Sequence, residues 1–550
     1  MPEPLINIKD LTVSFDVEGK RIPAVNHISF DIMPGEIVGL VGESGSGKSV
    51  SAMSILRLIP CPPGQIESGE IMFENRNLLA LPIDELREIR GNDIGVIFQE
   101  PMTALSPLHQ VGDQLAEVVR IHHPETSKRE AWDRAVEWLD KVGIPDPVER
   151  ARALPFQFSG GMRQRAMIAM ALILRPKLII ADEPTTALDV TLQSQIFDLI
   201  LEMKSDDTAI LFITHDMGVI WELSDRVLVM KNGDIVERGG VDQIFHEPKE
   251  EYTRTLLEAV PRLTDEPLES REPVENEQPV IEVKNLKTWF PVKRGVFAHV
   301  VGWVKAVDDV SLDIFPGECF GLVGESGSGK TTLGRTILGL EKAREGEALF
   351  EQQNLVDLSY RGMRPFRRHL QMIFQDPFSS LNPRLTILDI LTEGPLEHGM
   401  IKGSRRDFAA HWLEEVGLEA DTMNRYPHEF SGGQRQRICV ARAVAVHPRF
   451  VVCDEAVSAL DVTIQAQVID LLMELKDKLG LSYLFISHDL SVVKRICERV
   501  VVMRNGKVEE AGLTSDVVGN PQSDYTRGLI SAVPIPGDKR KRAASRNEEP

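Results

Sequence analysis

Two glycine-rich segments of the sequence have the residue types and spacing of phosphate-binding loops. Each matches GxxxxGK[ST], follows an apolar run and precedes a helical pattern. Glycines let successive backbone N–H groups curve around phosphate oxygens, the lysine reaches the terminal phosphates, and the last hydroxyl can ligate Mg²⁺. The predicted nucleotide contacts are Gly42, Glu43, Ser44, Gly45, Ser46, Gly47, Lys48 and Ser49 in the first copy, and Gly324, Glu325, Ser326, Gly327, Ser328, Gly329, Lys330 and Thr331 in the second.

A second pair of segments ends an apolar run in two carboxylates. LIIADE ends at Asp182 and Glu183, and FVVCDE ends at Asp454 and Glu455. We predict that the aspartates ligate the metal with Ser49 and Thr331, since a hard cation prefers oxygen ligands. The glutamates are placed to polarise the attacking water as general bases. A single Asp-Glu pair could equally be the charged start of a helix, but its repetition favours the catalytic interpretation.

Two more polar side chains follow apolar runs in each copy. Gln99 and Gln375 follow one run, and His215 and His488 follow another. Ligands of α/β domains bind at the carboxyl ends of the strands. We therefore predict that the histidines contact the γ-phosphate and that the glutamine amides orient water or ligate Mg²⁺. A structural histidine and a simple strand cap are the alternatives.

The whole chain is an internal repeat. GLVGESGSGK occurs twice, with Lys330 lying 282 positions after Lys48, and the FQ, FSGG and I[TS]HD segments recur in the same order at offsets of 276, 272 and 273. Each copy alternates short β-rich runs with helical patterns, which predicts parallel strands joined by crossover helices and hence an α/β domain. In the first copy we predict strands at 36–41, 94–98, 178–182 and 209–214, helices at 48–59, 161–174 and 191–203, and a mainly helical insertion at 111–142.

Composition limits the function further. A chain of 550 residues suits two domains, and a net charge of −21 argues against a general nucleic-acid binder. We predict no targeting signal and no membrane span, because no run of about 20 apolar residues is present. The five cysteines are scattered, and we expect them to be buried, reduced thiols. The predicted organisation is a first domain at 1–263, an acidic, Pro-rich linker at 264–279, a second domain at 280–537 and a flexible tail at 538–550.

FSGGMRQR, IIADEPTTALD and ITHD, with their second-half counterparts, resemble the nucleotide-binding domains of ABC transporters. The resemblance implies two tandem P-loop NTPase cassettes of the α/β class, each with a mainly helical subdomain, arranged as a head-to-tail pseudo-dimer. Each ATP would then lie between the P-loop of one cassette and the SGG motif of the other, and the loops 187–189 and 459–461 would line the interface. Phe15 and Phe290 would stack on adenine, with a core aromatic as the alternative. The implied signature residues are Ser159, Gly160, Gly161, Ser431, Gly432 and Gly433.

Other segments resemble a narrower branch. FQEPMTALSP, FQDPFSSLNPR, EYTRTLLEAVP and DYTRGLISAVP are similar to the oligopeptide, dipeptide and nickel uptake proteins. WFPVKRGVF before the second loop resembles the single-chain ATPases of the Yej, microcin C-type, peptide importers. Departures from the branch pattern are Met162 in place of Gln, Ala456 in place of Pro, and Glu250-Glu251 where His-Pro is common. No cysteine cluster follows Tyr252, so we expect no iron–sulfur site.

This resemblance implies an ATP hydrolase that uses ATP and Mg²⁺ to energise solute import, most naturally of peptides. The implied partners are two integral membrane permease subunits and a solute-binding protein, with no nucleic acid, and the implied location is peripheral, on the cytoplasmic face of the inner membrane. We expect exposed apolar side chains after Gln99 and Gln375 to contact helices of the permeases, namely Met102, Leu105, Phe378 and Leu381.

Three other classes carry similar cassettes. A twin-cassette ATPase acting on ribosomes would have a long, charged, helical arm between the cassettes, whereas 264–279 is short and broken by prolines. A twin-cassette DNA-repair ATPase would carry zinc-ligand cysteine pairs, and the sequence has none. An exporter ATPase stays open, since the chemistry of the cassette is the same in both directions.

Overall fold

The computed structural model of the protein describes residues 3–17, 19–99, 104–185, 190–261, 263, 277–294, 299–458 and 460–533. These residues form two compact units, the first ending at Val260 and the second spanning Pro261–Val533. Most of the predicted linker and all of the predicted tail lie outside the described residues, and so do the interface loop 187–189 and Ala459.

The first unit alternates strands and helices. Its strands are β1 (Ile6–Val17), β2 (Lys20–Ile32), β3 (Ile37–Val41), β4 (Gly64–Phe73), β5 (Arg76–Asn77), β6 (Ile94–Ile97), β7 (Leu178–Asp182), β8 (Ala209–Ile213), β9 (Arg226–Lys231) and β10 (Asp234–Gly240). Its helices are α1 (Lys48–Ile55), α2 (Ile83–Ile89), α3 (Val111–His122), α4 (Lys128–Lys141), α5 (Pro147–Ala151), α6 (Gly160–Leu172), α7 (Val190–Met203), α8 (Met217–Leu223), α9 (Val241–His246) and α10 (Glu251–Glu258).

Two sheets organise the described part of the first unit. The larger sheet has the strand order β10-β9-β3-β8-β7-β6, with all neighbours parallel except the edge pair β9 and β10. The smaller sheet has the order β2-β1-β4-β5 and is antiparallel. The helices α3 and α4 form the predicted insertion. Since β6, β7, β8 and β3 are adjacent and parallel, their carboxyl ends meet at one edge of the larger sheet.

Alternate residues of the larger sheet serve two cores. In β3, Val38 and Leu40 face a core shared with the antiparallel sheet and α1, whereas Ile37 and Val41 face a core shared with the helices. Both faces are covered, which explains why these strands are continuous apolar runs. The apolar runs that carry the polar residues are therefore held by packing on both faces.

The second unit repeats this architecture. Its strands are β11 (Ile281–Arg294), β12 (His299–Ile314), β13 (Cys319–Val323), β14 (Glu345–Phe350), β15 (Gln353–Asn354), β16 (Leu370–Ile373), β17 (Phe450–Asp454), β18 (Ser482–Ile486), β19 (Arg499–Arg504) and β20 (Lys507–Leu513). Its helices are α11 (Lys330–Ile337), α12 (Tyr360–Met363), α13 (Pro377–Ser380), α14 (Ile387–Glu397), α15 (Arg405–Glu415), α16 (Gly432–Val444), α17 (Val462–Leu479), α18 (Leu490–Ile496), α19 (Thr514–Gly519) and α20 (Asp524–Ser531). The sheet orders are β12-β11-β14-β15 and β16-β17-β18-β13-β19-β20, which match the first unit strand for strand.

The α/β prediction and the tandem duplication are confirmed, with local corrections. The helix predicted at 48–59 ends at Ile55, because Arg57 adopts φ 50° and prolines follow it. The antiparallel sheet was not predicted. Of the five cysteines, four are buried as expected, but Cys61 is exposed. Within the described ranges, no helix combines the length and the apolar character needed to cross a bilayer.

Candidate functional site

The phosphate-binding loops follow an interior strand of each larger sheet. Residues 42–47 follow β3 and 324–329 follow β13, and the next helices begin at Lys48 and Lys330. Gly42 and Gly324 have φ of 147° and 148°. A Cβ at Gly42 would collide with the carbonyl oxygen of Met230 on β9, so only glycine fits where the loop turns back.

The loop lysines are buried and curl over their own loops. Lys48 Nζ donates hydrogen bonds to the carbonyl oxygens of Gly42 at 2.8 Å and Glu43 at 2.7 Å. Lys330 Nζ donates to the corresponding carbonyls at 2.7 and 2.9 Å. Each ammonium is therefore held at the mouth of a loop whose main chain is curved as phosphate binding requires.

A hydroxyl and a carboxylate meet beside each loop. Ser49 Oγ donates to Asp182 Oδ1 at 2.9 Å, and Thr331 Oγ1 donates to Asp454 Oδ1 at 2.7 Å. Burial raises the pKa of Asp182 to about 6, although the Ser49 hydrogen bond opposes the shift, and burial likewise raises the pKa of Asp454. A cation at this point would relieve the cost of the buried charge.

The oxygen donors suit Mg²⁺, but they are few. No cluster of three or more His, Cys, Asp or Glu side chains in the described ranges could hold a metal ion by itself. Mg²⁺ usually keeps several waters and binds through one or two carboxylates together with substrate phosphates. The residues present fit a metal that enters with a nucleotide.

The second carboxylate of each pair lies between the glutamine and the histidine. Gln99 Nε2 donates to Glu183 Oε2 at 2.8 Å, and His215 Nδ1 lies 3.4 Å from Glu183 Oε1. Glu183 has φ 44°, and its N–H donates to the Ile213 carbonyl oxygen of the neighbouring strand at 2.9 Å. The side chain is thus fixed at the sheet edge, with both oxygens directed by polar neighbours.

The second unit repeats this arrangement. Gln375 Nε2 donates to Glu455 Oε2 at 2.7 Å, and His488 Nδ1 lies 3.6 Å from the same oxygen. Burial would raise the pKa of Glu455, but its interaction with His488 and the charge of Lys330 lower it overall. Burial by itself would lower the pKa of His488, but the hydrogen bond and charge of Glu455, together with the charge of Asp489, raise it overall. The carboxylate is kept ionised, as a base requires.

The SGG segments begin α6 and α16. Ser159 Oγ accepts from the Met162 N–H at 3.3 Å, and Ser431 Oγ accepts from the Gln434 N–H at 3.4 Å. Only Gln434 reciprocates, since its Oε1 accepts from the Ser431 N–H at 3.1 Å. Met162 cannot complete this capping box. Within the described part of the chain, the side-chain hydrogen bonds of Ser159 and Ser431 are local helix caps.

The two predicted adenine-stacking rings differ in exposure. Phe15 is half-buried against the core under the antiparallel sheet, with its strand paired to β4 at Gly64. Phe290 is 39% exposed. The strand β14 starts at Glu345, opposite Lys287, and so stops short of Phe290. Phe290 is available for stacking, whereas Phe15 also serves as a core side chain.

Sequence reasoning was wrong about part of the apolar surface after the glutamines. Leu105 and Leu381 are 2% and 1% exposed and belong to the cores, because the segments after the glutamines turn inward at these positions. Phe378 is 64% exposed, with the Arg435 guanidinium 3.8 Å from its ring centroid. Met102 lies outside the described residues.

Sequence reasoning also missed a contact. The hydroxyls of Tyr252 and Tyr525 each accept a hydrogen bond from a main-chain N–H of the phosphate-binding loop in their own unit. No local pattern could have indicated it, because each tyrosine is at least 200 positions from its partner. The only signal was the repetition of YTR near the end of both copies.

Comparison with known proteins supports two family assignments. The ABC transporter model matches residues 25–186 and 307–458, one segment in each unit. The model for the oligopeptide/dipeptide transporter C-terminal region matches residues 236–288 and 509–550.

Similar proteins match almost the whole chain. The peptidoglycan transport ATP-binding protein YejF of Agrobacterium fabrum is 50% identical over 534 residues, which is 96% of each chain. The glutathione import ATP-binding proteins GsiA of Salmonella choleraesuis and Escherichia coli K12 are 45% identical over 566 residues, covering 98% of this chain and 91% of theirs. A solved dimeric bacterial ABC transporter cassette is 31% identical over 42% of this chain and 98% of its own, with a TM-score of 0.38.

Proposed function

We propose that this chain, which belongs to the ATP-binding proteins of ABC transporters, drives the uptake of peptides or peptide-like solutes. ATP hydrolysis coupled to transport is the activity of its family, and the relatives named for glutathione import support the direction of transport. The oligopeptide/dipeptide C-terminal match in both halves supports the solute class. So do the relatives named for peptidoglycan transport and for glutathione import, since both solutes contain amino acids in amide linkage.

The proposal rests on the carboxyl edge of the larger sheet. In each unit, one loop, two carboxylates, a glutamine and a histidine lie together at this edge. Lys48 and Lys330 would bind the terminal phosphates of ATP, and the loop N–H groups would surround them. Glu183 and Glu455 would polarise the attacking water, and His215 and His488 would contact the γ-phosphate.

Mg²⁺ would supply charge neutralisation of the phosphates at this edge. Its protein ligands would be the hydroxyl and carboxylate that already lie within hydrogen-bond distance of each other, assisted by the glutamine amide. The set is Ser49, Asp182 and Gln99 in the first unit, and Thr331, Asp454 and Gln375 in the second.

Each ATP site would be shared between the two cassettes. The main chain around Gly160 and Gly432 is open, since a Cβ at either glycine would meet nothing within 4 Å. Free N–H groups at the start of a helix favour an anion. We therefore propose a head-to-tail pairing, in which the SGG motif of one cassette covers the γ-phosphate on the P-loop of the other.

The partners would be two integral membrane permease subunits and a solute-binding protein, with the chain peripheral on the cytoplasmic face of the inner membrane. Membrane permease components are implied by the import relatives. Phe378, whose ring is 64% exposed after Gln375, would be one docking point for a permease helix. We propose domain boundaries at 1–263, 264–279, 280–537 and 538–550.

The direct test is uptake by the complete transporter. The chain would be purified together with its permease subunits, reconstituted in vesicles with the solute-binding protein, and supplied with labelled di- to hexapeptides, glutathione and Ni²⁺. We expect ATP-dependent accumulation of peptides, abolished by the Lys48→Ala and Lys330→Ala double variant. Efflux instead of accumulation, or uptake of Ni²⁺ alone, would refute the proposal.

A further inference from the structure

A tyrosine from the end of each unit touches the phosphate-binding loop. The backbone N–H of Glu43 donates a hydrogen bond to Tyr252 Oη at 3.2 Å, and the N–H of Glu325 donates to Tyr525 Oη at 3.2 Å. The contact occurs independently in both units, at the same position of the loop. Both tyrosines lie in the segments matched by the C-terminal-region model.

The tyrosines are carried on anchored helices. Tyr252 is in the first turn of α10, and the turn before that helix is fixed by Glu237 on the edge strand β10. The N–H groups of Lys249 and Glu250 donate to the Glu237 carboxylate at 2.9 and 3.2 Å. In the second unit, Glu510 accepts from the corresponding N–H groups at 2.8 and 3.1 Å. A movement of the edge strand would therefore be transmitted through the helix and its tyrosine to the phosphate-binding loop.

A cation covers each phenol ring from the strand beside the loop. Lys231 Nζ lies 4.6 Å from the centroid of Tyr252, and Arg504 Cζ lies 4.7 Å from that of Tyr525. Both cations are at the ends of β9 and β19, the strands whose carbonyls force the loop glycines. Burial raises the pKa of Tyr525 to about 12, so the phenol stays protonated at neutral pH. The ring is thus held between its helix, the strand end and the loop.

The two main-chain groups of Glu43 are held by different partners. Tyr252 accepts from its N–H, while Lys48 donates to its carbonyl oxygen at 2.7 Å. When the lysine turns to a phosphate, the carbonyl contact is lost, but the tyrosine contact can remain. The tyrosine would then preserve the curvature of the loop in the bound state.

We infer that Tyr252 and Tyr525 are positioning residues that hold the phosphate-binding loops in their receiving conformation, and so make ATP affinity depend on the C-terminal region of each cassette. The inference rests on the proposed assignment of these loops as the nucleotide sites. Loss of one hydroxyl should weaken nucleotide binding at its own loop by about 2- to 12-fold, the range for one net hydrogen bond.

The experiment compares two full-length chains that both carry Lys330→Ala, one with Tyr252→Phe and one without it. Because Lys330→Ala disables the second loop, only nucleotide binding at the first loop is measured. Binding of MgATP and of Mg²⁺-tripolyphosphate, which has no base, is measured by calorimetry. We expect both affinities to fall by the same factor. In the chain without the lysine change, KM for ATP should rise while kcat stays within about twofold. Tyr360→Phe, an 89% exposed phenol, is the matched control and should change neither value.

Hydrogen exchange separates positioning from general stability. Exchange of amides in 41–49 should increase in Tyr252→Phe, with exchange in β7 unchanged. Unchanged binding, loss of ATP affinity without loss of tripolyphosphate affinity, or a matching increase of exchange in β7 would overturn the inference. If Lys48→Ala also leaves ATP binding intact, the proposed nucleotide sites are wrong and the inference falls with them.

Discussion

Asp182→Asn should stabilise the first unit in the absence of nucleotide and divalent cations. Asp182 is 5% exposed, and burial raises its pKa from an ordinary 3.8 to about 6. The ionised form is therefore disfavoured in the folded protein by about 3 kcal/mol at pH 7. Because the folded state binds the proton more tightly than the unfolded state, stability falls as pH rises from about 4 to about 6. An asparagine removes the charge and keeps an oxygen for Ser49 to donate to.

We expect a gain of about 1–3 kcal/mol at pH 7, equivalent to roughly 2–10 °C in the Tm of this unit. The gain should fall to about half at pH 5 and vanish below about pH 4. Differential scanning calorimetry in chelator-containing buffer measures it, with exposed Asp133→Asn as the matched control. MgATP should then stabilise the parent more than the variant. A variant no more stable than the parent at pH 7, or a gain independent of pH, would refute the reasoning.

Three further outcomes can be measured. Glu183→Gln should keep MgATP binding but lower single-turnover hydrolysis at its site by about 10²- to 10⁴-fold, and a loss below twofold would contradict its role as the base. Phe378→Asp should leave ATP binding unchanged but reduce uptake and permease co-purification, and wild-type uptake would exclude that docking point. Lys48→Ala with Gly433→Asp should spare one nucleotide site, whereas Lys48→Ala with Gly161→Asp should remove both, and the reverse occupancy would mean that each cassette closes on itself.

The strands and loops of the site were predictable because their signals are local. β7 was predicted at its observed bounds, since a strand buried on both faces is a continuous apolar run that ends at the first carboxylate. The parallel order then follows from short runs alternating with helices. That order places Gln99, Asp182 and His215 at one edge without any knowledge of their contacts.

The antiparallel sheet was harder to predict, because β1 does not alternate regularly. Asp10 adopts φ 52°, and the pairing of β1 with β2 shifts register between Ile8 and Leu11. Such a bulge reverses the inward and outward faces along the strand. The tyrosine contacts could not be predicted from local sequence patterns either. A hydrogen bond between one hydroxyl and an amide 209 positions away produces no periodic pattern in the sequence.

The two units are most alike at the loops whose main-chain geometry requires glycine. They differ where side-chain contacts hold the paired strands together. In the hairpin stem of the first unit, Ser14 and Arg21 both contact the carboxylate of Glu67.

At the matching place in the second unit, the Arg344 guanidinium lies between Trp289 and Trp303, at 4.6 and 4.4 Å from their centroids. An ion-pair cluster and a cation–π stack can each stabilise the pairing of two strands, so different residues can occupy this position. Where a loop turns at a glycine beside a neighbouring carbonyl oxygen, no other residue type can replace that glycine. Duplication therefore leaves the phosphate-binding loops of the two units alike, whereas the paired strands β1–β2 and β11–β12 differ in their side-chain contacts.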